Sequence, residues 1–223
     1  MIKHARSLNL LRVAWIFTCT AIAVSTARAD VIQIAVDTSS LAGNASGPFS
    51  LDFQLNDGSG NLAGPNTATL SNFVFTGRGP TGSATLSGGV TGSLSSSVTL
   101  NDSANVFNEF YQGFSAGTTR ISFTANLTTN IDPGLTPDAF SIAILNSSLA
   151  NIRTNDPSNG DTLLLLNIDK RVLAGSDLQT FTSTSPAGVT VSAASVPEPN
   201  SFGLLLTMFV VSLGSHLYRL RKA

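Results

Sequence analysis

The sequence predicts an all-β fold, an antiparallel two-sheet sandwich that is jelly-roll-like, and three observations carry that prediction. Apolar residues alternate with polar ones over short stretches, clusters of Gly, Asn, Asp and Pro punctuate those stretches, and helical periodicity is almost absent outside the two ends. FSLDFQL is the clearest case: Phe49, Leu51, Phe53 and Leu55 fall on one side of an extended chain and Ser50, Asp52 and Gln54 on the other. The turn cluster NDGSGN follows it at once.

The remaining strands are read in the same way. VIQIAV begins at Val31, SNFVF surrounds Phe73, RISFTANL aligns Ile121, Phe123, Ala125 and Leu127, and AFSIAIL aligns Phe140, Ile142 and Ile144. Shorter candidates lie around Leu86, Leu94 and Val98, and LQTFT and GVTVSA close the set, about ten strands in all. The continuous run TLLLLNI is too short for a buried helix and predicts a strand covered on both faces. The Gly- and Ser-rich stretch from Gly77 to Ser97 keeps enough alternation at Ala84, Leu86, Leu94 and Val98 to predict order.

The ends differ from this body. Lys3, Arg6 and Arg12 precede an apolar run from Val13 to Val24, and Ala27 and Ala29 occupy the small-residue positions of a cleavage site. Residues 1–29 therefore predict a secretory signal helix cut before Asp30, and the run of about twelve residues is shorter than the roughly 20 that span a bilayer. Residues 30–195 form the exported body, and residues 196–223 a separate C-terminal signal. There Pro197 and Pro199 hold Glu198 extended after Val196. Ser201 to Tyr218 then forms an uncharged run long enough, at about 1.5 Å per residue, to cross a membrane as a helix. Arg219, Arg221 and Lys222 would retain the tip on the cytoplasmic side.

Composition excludes several kinds of chemistry. Between Asp30 and Ser195 there are twelve acidic residues and five basic ones, so the body cannot build the cationic stripe that nucleic-acid binding needs. Its only histidines, His4 and His216, and its only cysteine, Cys19, lie in the end segments. GFSAG, with Gly113, Ser115 and Gly117, matches the nucleophile-elbow spacing but has no histidine base in the body, and reads as a loop. Gly77, Gly79 and Gly82 in GRGPTG match a dinucleotide fingerprint with no helix after it, and read as a turn. No metal ligand set and no cofactor is expected. Asp57, Ser59 and Asn61 begin like a calcium loop, but Leu62 and Ala68 stand where its glycine and glutamate belong, so Asp57 and the aspartates of DPSNGD read as turn caps.

Carboxylate chemistry stays open, because a glycosidase needs only two carboxyl groups, and Glu109 paired with Asp52 or Asp138 would supply them. The body has no tryptophan and one tyrosine, so Tyr111 with Glu109 and Gln112 is the candidate ligand patch, set against an ordinary strand edge.

The C-terminal order of VPEP, apolar span and RLRK resembles the PEP-CTERM sorting signal of Gram-negative bacteria that make exopolysaccharide. The resemblance implies recognition by exosortase, with Pro197, Glu198 and Pro199 as substrate residues. FSLDFQLNDGSGN, NTATLSNFVF, NEFYQGF and LTTNIDPGLTPDAFS also resemble an uncharacterised family of PEP-CTERM proteins, which implies a surface destination and transfers no catalytic residue. The expectation is a non-enzymatic structural or interaction protein of the cell surface or extracellular matrix, associated with exopolysaccharide or biofilm. It would be held by its C-terminal membrane helix until processed, with exosortase and the secretion machinery as partners and polysaccharide as a further one. A carbohydrate-binding module is the alternative, and a carboxylate-based glycosidase the second.

Overall fold

The computed structural model describes residues 29–130, 136–168 and 178–196. Over these residues the chain is an all-β sandwich of two antiparallel six-stranded sheets with a small two-stranded ribbon. The first sheet contains β1 (Ala29–Asp37), β3 (Thr67–Thr76), β5 (Val90–Gly92), β6 (Val98–Asn101), β8 (Arg120–Thr128) and β14 (Thr190–Ser195), in the order β14-β1-β8-β3-β6-β5. The second contains β2 (Phe49–Asn56), β4 (Pro80–Ser87), β7 (Phe107–Phe114), β9 (Asp138–Leu145), β11 (Leu164–Ile168) and β12 (Leu178–Thr180), in the order β12-β11-β9-β2-β7-β4. The ribbon pairs β10 (Arg153–Thr154) with β13 (Ser183–Ser185). Among the described residues the only helical element is the 3-10 turn Ser39–Leu41, and no helix there is long and apolar enough to cross a membrane. The predicted signal helix and C-terminal membrane helix lie outside the described residues.

The pairs β1·β8, β2·β7 and β3·β6 are nested and alternate between the two sheets. Rolling one long antiparallel ribbon on itself produces that order, and it places the inward face of every strand against the opposite sheet. Leu51, Phe53 and Leu55 of β2, Phe110 and Phe114 of β7, and Ile121, Phe123, Ala125 and Leu127 of β8 all enter one core, as their alternation predicts. Phe53 is its centre: its ring lies 5.3 Å from that of Phe123, 5.8 Å from Phe110 and 6.4 Å from Phe140. Such aromatic clusters add directional packing to the area they bury.

Three elements differ from the sequence reading. TLLLLNI supplies β11, in which Leu164, Leu166 and Ile168 are buried and Leu165 and Asn167 are half-buried; Leu163, just before the strand, is buried as well, so the two faces are covered to different depths. A continuous apolar run carries no parity, so it does not tell which face is the deeper one. Leu94 lies in the turn between β5 and β6, although its side chain is buried. SNFVF contains a bulge: the register between β3 and β8 shifts between Ser71 and Val74, with Asn72 at φ 57°. Ala68 and Leu70 face the core before the bulge and Phe73 and Phe75 after it, because one extra residue exchanges the faces of everything that follows.

β1 and β14 are antiparallel neighbours, with Ile32 opposite Ser195, and the Val196 amide donates to the Val31 carbonyl at 2.8 Å. The start of β1 and the end of β14 therefore lie side by side. This near end also holds the β2–β3 and β6–β7 connections, the end of β8 and the start of β9.

Candidate functional site

The candidate patch lies on β7, whose residues alternate between the core and the outer face of the second sheet. Phe110, Gln112 and Phe114 point inward, whereas Glu109 and Tyr111 are half-buried on the outer face. Gln112 therefore does not share a surface with the other two. It is 6% exposed, it accepts from the Leu94 amide at 2.9 Å and it donates to the Gly82 carbonyl at 2.9 Å. Its amide pins the turn after β5 and the middle of β4 to the sandwich. Nor is this segment a strand edge, since β7 is flanked by β2 and β4.

The neighbouring strand completes the outer face. Asp52 stands opposite Tyr111 and Gln54 opposite Glu109 in the β2·β7 register. Gln54 Nε2 donates to Asp52 Oδ2 at 2.9 Å and to Glu109 Oε1 at 3.3 Å. Of the two carboxylate pairings open from the sequence, the fold thus brings Asp52 to Glu109. Asp138 lies instead at the near end, beside Asn66 and Asp102.

Asp52 is 1% exposed, and its Oδ1 has no hydrogen-bond partner. Burial pushes its pKa up to about 7, the Glu109 charge adds to the rise, and the Gln54 hydrogen bond offsets part of it. A carboxyl so enclosed cannot meet a polymer chain directly. Glu109, Tyr111 and Gln54 form the accessible part of the cluster, with Thr85 and Ser87 opposite Tyr111 and Glu109 on β4. Chemically this is a hydrogen-bonding surface with one aromatic ring.

The two motif look-alikes are adjoining turns. Gly77 opens the β3–β4 connection at φ +95°, and a Cβ there would stand 2.2 Å from the Gly117 carbonyl oxygen of the β7–β8 connection. Ser115 accepts from the Gly117 amide at 3.3 Å and has its own amide on the Gly79 carbonyl. Asp57 caps its own loop through the amides of Ser59, Gly60 and Leu62, and Asp156 does the same for Ser158 and Thr162, as expected of turn aspartates.

Of the residues expected to form a sorting signal, Val196 is exposed just after β14. Pro197, Glu198, Pro199, Arg219, Arg221 and Lys222 lie outside the described residues. Ala27 lies outside them as well, while the backbones of Ala29 and Asp30 open β1 opposite Thr128 and Leu127. Asp102 and Asn66 had no sequence signal, since each sits in a polar stretch that reads as an ordinary turn. No family model, no curated protein and no solved structure matches this chain.

Proposed function

We propose that this chain is an exported protein of the cell surface or extracellular matrix that acts as a structural or interaction module, sorted by exosortase through its C-terminal PEP-CTERM signal and associated with exopolysaccharide. The observation that carries the reading is the adjacency of Val31 and Val196. A leader before β1 and a membrane segment after β14 both attach at the near end, so neither has to pass around the body for membrane machinery to reach it. The opposite end is then turned away from the membrane. It carries a polar hollow lined by Asn146, Asn151, Arg153, Asp161 and Ser185, suited to contact with other matrix components. The rolled strand order supports a jelly-roll-like classification of the body. A non-enzymatic role is supported by the lack of histidine and cysteine between residues 30 and 195 and by the enclosure of Asp52.

Glu198→Ala tests the sorting step. The variant is expected to be exported but not trimmed, so that a full-length form accumulates in the membrane fraction. Neutral replacements at Arg219, Arg221 and Lys222 should instead let untrimmed protein escape, because no cation then has to be drawn through lipid. Mass spectrometry of membrane and medium separates the two forms, and normal trimming of the Glu198 variant would overturn the sorting reading in favour of a plain membrane anchor.

Carbohydrate binding is the second reading, favoured by the shared outer face of Gln54, Glu109 and Tyr111. Glycan-array binding that disappears in Tyr111→Ala would promote it. Turnover of matrix polysaccharide that disappears in Glu109→Gln would promote the glycosidase reading instead.

A further inference from the structure

Three aspartates from separate parts of the sequence meet at the near end. Asp57 follows β2, Asp102 follows β6 and Asp138 opens β9, and all three are buried, at 6%, 1% and 2% exposure. Asp57 is occupied by the amides of its own loop. The other two are held by one residue: the Asn66 backbone amide donates to Asp102 Oδ1 at 2.6 Å, and Asn66 Nδ2 donates to Asp138 Oδ2 at 2.7 Å. Asp138 Oδ1 accepts from the Gly58 amide at 3.1 Å. Asp102 Oδ2 is buried without a partner.

Through its backbone and its side chain, Asn66 thus holds the two carboxyl groups side by side. Among the described residues, the charges acting on Asp102 are those of Asp138 and Asp57, both negative. Buried anions left in this state are costly, and a proton or a cation relieves the cost. Asn66 keeps the pair in register whichever is present, and carboxylate oxygens as ligands select a hard ion.

We propose that the Asp102–Asp138 pair binds a hard divalent cation of the calcium class, tying the turn after β6 to the start of β9 beside Asn66 at the near end. Among the described residues no three acidic, His or Cys side chains converge as a metal-holding group. The protein therefore supplies two carboxylates. So few charged ligands place the affinity in the range of about 10⁻⁴ to 10⁻³ M.

Thermal unfolding of the purified full chain at pH 8 tests the site. Calcium chloride at roughly 10 mM should raise Tm by about 5 °C, reversibly with EDTA. Asp102→Asn, which keeps the Asn66 bond and removes one charge, should raise Tm in EDTA and abolish the calcium response. No shift of the wild type with calcium, magnesium or manganese would overturn the proposal. A calcium shift that survives in the variant would also overturn it, by placing the ion elsewhere. If Asp102→Asn does not fold, calorimetric titration of wild type with calcium chloride decides: one saturable site supports the proposal, and no heat of binding overturns it.

Discussion

Asp52 and Glu109, on neighbouring strands, share a single amide: Gln54 Nε2 donates to both carboxyl groups, at 2.9 and 3.3 Å. One of the two is enclosed and the other half-exposed, so the pair is chemically asymmetric although its partners lie side by side. That asymmetry gives stability a pH dependence.

The pKa of Asp52 in the fold, about 7, is above the roughly 3.9 of an unfolded aspartate, so the fold favours the protonated form. Its contribution is complete below about pH 4 and is lost as pH rises through 7, at up to about 1.4 kcal/mol per pH unit. Glu109 is the charge that faces it, and raises the pKa further. Asp102, also pushed up to about 7, first by burial and then by Asp138 and Asp57 against the opposing Asn66 bond, acts in the same window. Asp37 is held low by the Ser39 hydroxyl and amide and acts in the opposite sense, only in stronger acid. The urea midpoint should therefore be higher at pH 5 than at pH 8. Asp52→Asn should raise the pH 8 midpoint and flatten the profile. Equal wild-type midpoints at the two pH values would contradict this account.

Phe53→Ala should cost about 3–5 kcal/mol, because the ring is fully buried among Phe110, Phe123 and Phe140 and its removal leaves a cavity that rigid strands cannot close. Phe53→Leu should cost clearly less. Equilibrium urea unfolding measures both, and a loss below about 1 kcal/mol for the alanine variant would show that Phe53 is not the centre of the core.

Gly77→Ala and Gly79→Ala form a matched pair within one turn. At Gly77 a Cβ would be 2.2 Å from the Gly117 carbonyl oxygen at a φ of +95°, whereas at Gly79 it would meet nothing within 4 Å. The first should lose about 1–3 kcal/mol and the second stay within about 0.5 kcal/mol. Thermal denaturation compares them, and equal losses would mean that the close approach of the two turns is not what Gly77 provides.

The alternation of Phe49 to Leu55, Ile121 to Leu127 and Phe140 to Ile144 determined by itself which segments are strands and which side chains enter the core, because a period of two is a property of the extended backbone alone. The same local rule, applied along β7, separates Gln112 from Glu109 and Tyr111; grouped by nearness in sequence, the three polar residues resemble one patch. The very short strands β5, β10 and β13 hold too few residues to display any period. Which distant residues meet depends instead on how the strands pack in three dimensions. Asp52 reaches Glu109, Asp102 reaches Asp138, and Val31 lies against Val196 through the register of strands far apart in the chain. That register is set by packing one sheet on the other, and the bulge at Asn72 shows how one inserted residue changes it.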